Sequence, residues 1–386
     1  FDSGTIAQLT DTLIARTQPR SDGTGGVGVV MRVGASLTMD RVTVVDSHEV
    51  GMLIENANTT LEATGLLLAR TQPRDDAVGG RGLVIQSTAT VSLHRSSLVE
   101  NHEIGLFLDA ANTFASVKDS LVARTQPRPQ GTGGRGVSIE QGASVALERV
   151  AVVGNHEVSV FAHGPGSAAV GTEVLVAGTV GVGEHDLGDG AVAQNSGSLS
   201  FDRSAFVHNH RIGILAFGDG ARATASDTII ARTQALSEGV GGRGAGAQYG
   251  GRMDLARVAV LQSHEMGIWF LAAEGVVSDS VVQDTIASPE GLYGLADGLV
   301  VMGSSVGVEG MVSQDNGRTG ILYHSSEGSI ASSFITGNII GVGNQGFPGA
   351  VVADDNLVAA NEEDWLGAME LEIPDQALAL PEPPTL

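Results

Sequence analysis

Five histidines recur at one strict interval along the chain. They lie 54 residues apart, and four of them directly precede a glutamate. Imidazole and carboxylate side chains next to each other can hold a metal ion, move a proton or contact a polymer. The strict interval also has an architectural explanation, in which each pair stabilises a repeated turn. The four pairs are His48–Glu49, His102–Glu103, His156–Glu157 and His264–Glu265, and the fifth histidine, His210, precedes Arg211.

Distance argues against a metal site built from these histidines. If each 54-residue unit holds two stacked coils, successive histidines lie about 10 Å apart, whereas a zinc–nitrogen bond is about 2.0–2.1 Å long. The stretch GVGEHDLGDG offers carboxylate oxygens instead, from Glu184, Asp186 and Asp189. Such oxygens suit Ca²⁺, although their spacing differs from that of an EF-hand. Calcium therefore stays a hypothesis for this loop, and the sequence indicates no other cofactor.

The acidic residues do not form an evident catalytic cluster. Glycoside hydrolysis needs two carboxyl groups close together, whereas Asp354 and Asp355, which are adjacent, would point to opposite faces of a strand. A catalytic site is also a local departure from regularity. Departures from the repeat concentrate at 178–211 and 284–311. The sequence therefore favours a non-enzymatic role and directs any search for chemistry to these two regions.

Short strands separated by polar turns must position these residues. In VTVVDSHEVGMLIENANTTLEA, three short alternating strands fit one coil of a solenoid. A coil that cannot bury its own apolar face must stack on its neighbours. Aligning the turns gives steps that alternate between 31 and 23 residues and predicts about 14 coils. The aligned residues are Arg16, Ser47, Arg70, Asn101, Arg124, Asn155, Gly178, Asn209, Arg232 and Ser263, followed less regularly by Asp284, Asn316, Asn338 and Asn361.

This alignment predicts a ribbon of stacked side chains along one edge. Thr17, Thr71 and Thr125 of the long coils would alternate with the histidines. Arginines of the motif Arg-Thr-Gln would pair with glutamates on adjacent coils, and stacked asparagine amides would form a ladder. In the fourth unit Gly178 replaces the arginine and Arg211 replaces the glutamate, which fits such a coupled ladder. The ladder residues are Arg16, Arg70, Arg124, Arg232, Asn101, Asn155 and Asn209.

The long coils carry an extra segment after the glutamine of this motif. The insertions read PRSDGTGG, PRDDAVGG, PRPQGTGG and ALSEGVGG, which is eight residues each. Proline and arginine at one end and two glycines at the other predict a defined turn. We therefore expect a comb of similar loops along one edge of the solenoid.

Composition excludes several classes of function. The 386 residues have a net charge of −23, which repels nucleic-acid phosphates. There is no apolar run long enough for a transmembrane helix and no cysteine. The chain begins at Phe1 inside a strand pattern, so we expect further residues upstream. We place the solenoid at 1–363 and a C-terminal cap with a proline-rich tail at 364–386.

The recurring turns resemble those of the right-handed parallel β-helix family, the pectate-lyase-like superfamily. The residues that carry this resemblance are NHEIGLF from Asn101, NHRIGIL from Asn209 and NGRTGIL from Asn316, and it covers about residues 5–363. It implies an all-β solenoid and a bacterial protein that is extracellular, periplasmic or on the outer surface. The favoured role is a structural or binding scaffold with a protein or polysaccharide partner. The alternatives are a polysaccharide lyase or glycoside hydrolase, and an accessory subunit attached to a larger assembly through its loops or C-terminal tail.

Overall fold

The structure is a computed structural model that describes residues 4–21, 23–182, 187–237, 239–288, 294–346 and 351–367. All strands in this part of the chain belong to three parallel sheets of 14 strands each, called sheets A, B and C. Successive strands enter sheets A, B and C in turn, so three strands complete one coil. The chain is therefore a parallel β-helix of 14 coils, and the predicted fold class is confirmed.

Sheet A contains every third strand from the first. Its members are β1 (Ile6–Thr10), β4 (Ser36–Asp40), β7 (Thr60–Thr64), β10 (Thr90–His94), β13 (Phe114–Lys118), β16 (Ser144–Glu148), β19 (Ala168–Thr172), β22 (Ser198–Asp202), β25 (Arg222–Ser226), β28 (Arg252–Ala256), β31 (Glu274–Ser278), β34 (Ser305–Glu309), β37 (Glu327–Ala331) and β40 (Val351–Asp354).

Sheet B contains the shortest strands. Its members are β2 (Leu13–Ala15), β5 (Thr43–Val45), β8 (Leu67–Ala69), β11 (Ser97–Val99), β14 (Leu121–Ala123), β17 (Ala151–Val153), β20 (Leu175–Ala177), β23 (Ala205–Val207), β26 (Ile229–Ala231), β29 (Ala259–Leu261), β32 (Val281–Gln283), β35 (Val312–Gln314), β38 (Phe334–Thr336) and β41 (Leu357–Val358).

Sheet C contains the longest strands. Its members are β3 (Val29–Arg32), β6 (Val50–Glu55), β9 (Arg81–Gln86), β12 (Ile104–Asp109), β15 (Arg135–Glu140), β18 (Val158–His163), β21 (Asp189–Gln194), β24 (Ile212–Phe217), β27 (Arg243–Gln248), β30 (Glu265–Leu271), β33 (Ala296–Met302), β36 (Thr319–His324), β39 (Ile340–Gln345) and β42 (Glu363–Gly367).

Alternation along each strand fills the core with aliphatic side chains. In sheet A, Leu37, Leu61 and Val91 share one register position and are buried, while Glu62, next to Leu61 in the chain, is exposed. This is the pattern of a strand with one apolar and one solvated face. Sheet C differs, because from β9 to β39 most of its outward side chains are also buried, among them Phe107 and Trp269. Polar groups at the outer face of sheet C are therefore shielded from water.

The three sheets do not share one coil length. In sheet C, Leu83, Leu106 and Val137 share one register position, so the predicted alternation of a short and a long coil is confirmed there. In sheet A the short coil is one residue longer than in sheet C, and the long coil is one residue shorter. The one-residue difference is taken up at the turn between sheets C and A, since the chain advances nine residues from Met52 to Leu61 and eight from Leu83 to Val91. The single alignment of the sequence therefore holds for sheet C and is one residue out elsewhere.

The backbone contacts divide the chain into two compact units. Unit 1 comprises the described residues up to Gly188 and Ser196–Leu199, and unit 2 comprises Asp189–Asn195 and the described residues from Ser200 onward. β42 crosses the position at which the sequence suggested that a C-terminal cap begins, and it pairs with β39 in sheet C. Residues 368–386, including the predicted proline-rich tail, lie outside the described residues. In the part that the structure describes, we find no helix with the length and apolarity needed to cross a membrane.

Candidate functional site

The five histidines lie at the turn between sheets B and C. Each forms an isolated parallel bridge with the next coil, and its partner there is a glutamine, a valine or an isoleucine. The predicted alternation of histidine with threonine is therefore wrong, because the register places each histidine opposite the residue that follows the threonine. The bridges are His48–Gln72, His102–Gln126, His156–Val180, His210–Gln234 and His264–Ile286.

The threonines occupy the neighbouring interior position together with serines and asparagines. The backbone N–H of Thr71 donates to Oδ1 of Asn101 at 3.1 Å, and Nδ2 of Asn101 donates to the carbonyl oxygen of Leu68 at 3.2 Å. Thr125 and Asn155 repeat the first contact at 3.0 Å. These side chains are fully buried, as is that of Asn209. The asparagines thus satisfy backbone donors inside the turn, where an unpaired amide would be costly.

The imidazoles of unit 1 are held by one repeated contact. Nδ1 lies 3.1 Å from the carbonyl oxygen of Thr17 in His48, 2.9 Å from that of Thr71 in His102, and 2.8 Å from that of Thr125 in His156. A carbonyl only accepts, so Nδ1 carries the hydrogen and Nε2 keeps its lone pair when the ring is neutral. The rings are half-buried. Each histidine therefore ties its coil to the preceding one through a nitrogen that is no longer available to a metal ion or a substrate.

The paired glycines of the inserted loops are explained by the same histidines. A Cβ on Gly80 would lie 2.5 Å from Cβ of His102, and one on Gly134 would lie 2.5 Å from Cβ of His156. Both glycines also adopt a positive φ, of +97° and +95°, which side chains disfavour. Each insertion adds seven residues, which is one fewer than the sequence suggested. Gln72 and Arg81 are nine residues apart, whereas their register partners His48 and Val50 are two residues apart.

The arginines of the Arg-Thr-Gln motif do not pair with the glutamates that follow the histidines. Nε of Arg70 donates to Asp46 at 2.8 Å, and Nη2 of Arg124 lies 3.0 Å from Glu100. Each of these acids stands two residues before a histidine in the chain. The register of sheet B places each acid beside an arginine of a neighbouring coil. The predicted partners are therefore wrong. Arg16 joins the same row through its backbone N–H, which donates to Val45, while Arg232 donates to Gln262 at 3.1 Å.

The glutamates pair instead with arginines of the inserted loops and of the strands that follow them. Glu103 accepts from Nη2 of Arg81 at 2.7 Å, Glu157 accepts from Arg135, and Glu265 accepts from Nε of Arg243 at 3.3 Å. These three arginines begin β9, β15 and β27 and occupy the same position of their repeat units. The three pairs are almost completely buried. Glu49 lies 3.5 Å from Nη1 of Arg74 in an inserted loop.

An aromatic ring of the following strand covers each of these buried guanidinium groups. Cζ of Arg81 lies 5.0 Å from the ring centre of Phe107, that of Arg135 lies 4.6 Å from Phe161, and that of Arg243 lies 3.7 Å from Trp269. Burial lowers the pKa of Arg243 to about 10, so the group stays charged at neutral pH. The rings and the glutamates together stabilise cations that would otherwise be expensive to bury.

Two further pairs carry the same charges in exchanged positions. Asp189 stands one repeat unit after Arg135, and its carboxylate accepts from Nε of Arg211 at 2.7 Å, with both side chains fully buried. Asp297 likewise accepts from Nε of Arg318 at 2.8 Å. The charge of Arg211 is therefore balanced by Asp189. The prediction that Arg211 compensates for the arginine that Gly178 replaces is wrong. The pairing of opposite charges persists although the residues that provide them have changed places.

The calcium hypothesis is left with one described residue. Glu184 and Asp186 lie outside the described residues, and the carboxylate of Asp189 is engaged with Arg211. Over the described ranges, no group of three or more histidine, aspartate or glutamate side chains is placed to hold a metal ion.

The sequence reasoning missed a row of titratable groups at the outer face of sheet C. Asp109, Glu140 and His163 end β12, β15 and β18, which are consecutive strands of unit 1, and Glu140 and His163 are direct partners in the register. Asp109 and Glu140 are buried. Burial raises the pKa of Glu140 to about 7, although Ser138 donates to its carboxylate at 3.0 Å. Burial also raises the pKa of Asp109 and lowers that of His163. Their spacing follows the alternating coil lengths of sheet C, which was a signal available in the sequence.

A groove lies along the turn between sheets B and C in unit 2. Two adjoining lobes enclose about 460 and 590 Å³ and share His208, Arg232, Gln262 and Asp284. The ends of four consecutive strands of sheet B form the floor of the first lobe. The second lobe is completed by Gln234, His264 and Ile286. It is a shallow, open site where the repeat departs from the charged pattern of unit 1.

Comparisons with known proteins extend these observations only to the fold. No family model matches the chain. The BrkA autotransporter of Bordetella pertussis is 26% identical over 265 residues, which is 61% of this chain and 25% of that protein. The chain thus spans about a quarter of the length of the curated relative it matches. Among solved structures, the periplasmic alginate epimerase AlgG is 10% identical with a TM-score of 0.46, covering 91% of this chain and 84% of AlgG. The A-module of the mannuronan C-5 epimerase AlgE4 from Azotobacter vinelandii is 13% identical with a TM-score of 0.44, covering 87% and 89%.

Proposed function

We propose that this protein is a secreted or surface-exposed bacterial β-helix that acts as a structural and binding scaffold and not as an enzyme. One observation carries the proposal. The side chains that first suggested chemistry are engaged between coils, the histidines of unit 1 through Nδ1 and the glutamates through buried arginines. Groups held in this way stabilise the stack and fix its register. What they leave for a partner is the outer surface of the turns.

The proposed location rests on the similarity to an autotransporter and on the family resemblance of the turns. The strong negative charge of the chain suits a soluble, exposed surface, and a solenoid without cysteine needs no oxidising compartment to fold. The location is tested in cells that make the protein. Proteinase K added to intact cells should remove the protein from the cell surface, or the culture medium should contain it. Recovery only from lysed cells would refute the proposed location.

A second candidate function is favoured by the row of Asp109, Glu140 and His163. A buried carboxyl group with a pKa of about 7 beside a histidine has the properties of an acid–base pair. The substrate would be an anionic polysaccharide, in keeping with the lyase alternative. Alginate and polygalacturonate are incubated with the native chain and with Glu140→Gln, and unsaturated ends and reducing ends are measured. Turnover by the native chain that Glu140→Gln abolishes would establish catalysis and remove the scaffold proposal.

A further inference from the structure

The turn between sheets B and C carries a row of side chains that differs between the two units. In unit 1 the row alternates in charge, and the guanidinium groups of Arg70 and Arg124 are neutralised by Asp46 and Glu100. All four residues adopt a positive φ between 52° and 56°, which turns each side chain outward at the same point of its coil. From Asp46 to Arg124 the row is therefore two closed ion pairs.

In unit 2 the arginine remains and the acids beside it are replaced. The row reads His208, Arg232, Gln262 and Asp284 on consecutive coils. Nε of Arg232 donates to Oε1 of Gln262 at 3.1 Å, and Nη1 lies 3.4 Å from Nε2 of His208. Neither neighbour carries a negative charge, so they orient the guanidinium group without balancing its charge. Over the described ranges, no carboxylate lies within ion-pair distance of Arg232.

A change in the inserted loop reverses the hydrogen bonding of the nearest histidine. Three of the other loops begin with proline, which has no N–H, whereas the loop of unit 2 has Ala235 at this position. The N–H of Ala235 donates to Nδ1 of His264 at 3.4 Å. The hydrogen of the neutral ring is therefore on Nε2, opposite to its position in His102. His264 lines the groove, so it offers a donor there in addition to Arg232.

The remaining walls of the groove define what can occupy it. Val207, Ala231 and Leu261 form an apolar floor over three consecutive coils. Asp284 stands two coils from Arg232, which is about 10 Å, and accepts from Nε2 of Gln283 at 3.1 Å. None of the lining residues is an aromatic ring of the kind that stacks on sugars. A cationic donor, an apolar floor and a distant acceptor are complementary to a peptide more than to a polysaccharide.

We propose that this groove binds an extended peptide segment of a partner protein that carries an acidic side chain two positions from an apolar one, so that both side chains face the groove. The carboxylate receives hydrogen bonds from Arg232 and from Nε2 of His264. The apolar side chain lies on Val207 and Leu261, and Asp284 accepts a peptide N–H about 10 Å away. The inference rests on the binding part of the proposed function, and it names the site and the kind of partner. Its test needs no exported protein, so its failure is distinguishable from failure of the proposed location.

The test measures binding of defined probes to the full chain by isothermal titration calorimetry. The probes are an acetylated and amidated hexapeptide with Leu-Ser-Glu at its centre, the same peptide with Leu-Ser-Gln, trigalacturonate and acetate. The chain variants are Arg232→Gln and, as a matched control in the same row, Arg70→Gln. Because Arg232 is exposed, its replacement leaves the fold intact, which circular dichroism verifies.

We expect the Leu-Ser-Glu peptide to bind the native chain at least tenfold more tightly than the Leu-Ser-Gln peptide. Arg232→Gln should remove this preference, and Arg70→Gln should preserve it. Equal binding of the two peptides, binding no tighter than that of acetate, or an unchanged preference in Arg232→Gln would overturn the proposal. Tighter binding of trigalacturonate than of the peptide would also overturn it, because the groove would then be a site for acidic sugars.

Discussion

Arg211 donates Nε to Oδ1 of Asp189 at 2.7 Å in a fully buried pair, and this contact reverses the polarity of the pair that Arg135 forms with Glu157. The two arrangements occupy equivalent positions in successive repeat units. A buried charge without its partner is strongly destabilising. The exchange therefore identifies these pairs as coupled elements that join adjacent coils of the stack.

Two glycines of the inserted loop at 127–134 are expected to differ in how strongly they resist substitution. Gly131 and Gly134 both have a positive φ, of +78° and +95°. A Cβ at Gly131 would meet no atom within 4 Å, whereas one at Gly134 would lie 2.5 Å from Cβ of His156. Gly131→Ala should cost about 1 kcal/mol from backbone strain, and Gly134→Ala clearly more, as measured by urea denaturation. Equal losses of stability would show that the contact with His156 is not the reason for glycine at position 134.

The tautomer of His102 predicts which substitutions it tolerates. Asparagine can place an N–H close to the position of Nδ1, so His102→Asn should keep the hydrogen bond to Thr71 and most of the stability. His102→Leu should lose about 1 kcal/mol. Thermal unfolding of both variants is compared with that of the native chain. Equal melting temperatures for the two variants would contradict the structural role of Nδ1.

The buried threonine position at the turn between sheets B and C predicts a stabilising substitution. Oγ1 of Thr125 is buried without a hydrogen-bond partner among the described residues, and valine has nearly the same shape. Thr125→Val should therefore raise the free energy of unfolding by about 1 kcal/mol. Asn155→Ala should lower it by about 2–3 kcal/mol, because the N–H of Thr125 loses its acceptor. Destabilisation by Thr125→Val would show that the hydroxyl has a partner, such as bound water.

Glu140 predicts a pH dependence of stability. Its pKa is about 7 in the folded chain and 4.5 in the unfolded one, so the folded state retains a proton that the unfolded state has released between these values. This contribution is fully present below pH 4.5 and is lost as the pH rises through 7. Glu140→Gln should therefore match the native chain near pH 4 and exceed its stability at pH 8 by on the order of 2–3 kcal/mol.

A matched control for Glu140 is Glu148, whose side chain is 44% exposed. Hydrogen bonds from Lys118 and Arg149 lower the pKa of Glu148. Its contribution to stability is present above the unfolded pKa and is lost as the pH falls. Glu148→Gln should thus lower stability at neutral pH and have no effect in acid. A gain at pH 8 that is equally large in both variants would mean that net charge, and not burial of Glu140, is responsible.

The sequence predicted the coil number and the parallel β-helix because the 54-residue repeat of the structure is also visible as a repeat of residue types in the sequence. It misassigned the turn because one alignment served all three sheets. The predicted alignment placed Arg70 opposite Asn101, whereas the register of sheet B places it opposite Glu100. The same shift of one residue places Gln126 opposite His102, where the alignment placed Thr125. The row of Asp109, Glu140 and His163 was missed since its members differ in type. Their spacing of 31 and 23 residues was visible in the sequence, but no pattern indicated that the outer face of sheet C is covered, and it is burial there that shifts their pKa values.

The buried pairs of opposite charge hold adjacent coils together, and the exchange found at Asp189 and Arg211 can be reversed by mutation. Arg211→Glu leaves two buried carboxyl groups in contact and should lower the free energy of unfolding by about 3–5 kcal/mol. Arg203→Ala, which breaks an exposed pair, should cost less than about 1 kcal/mol.

The most direct measurement is urea denaturation of the double variant Asp189→Arg with Arg211→Glu, which restores the polarity of Arg135 and Glu157. We expect the double variant to recover most of the stability that Arg211→Glu loses, which gives a large favourable coupling energy in the double-mutant cycle. A double variant no more stable than Arg211→Glu alone would contradict this expectation.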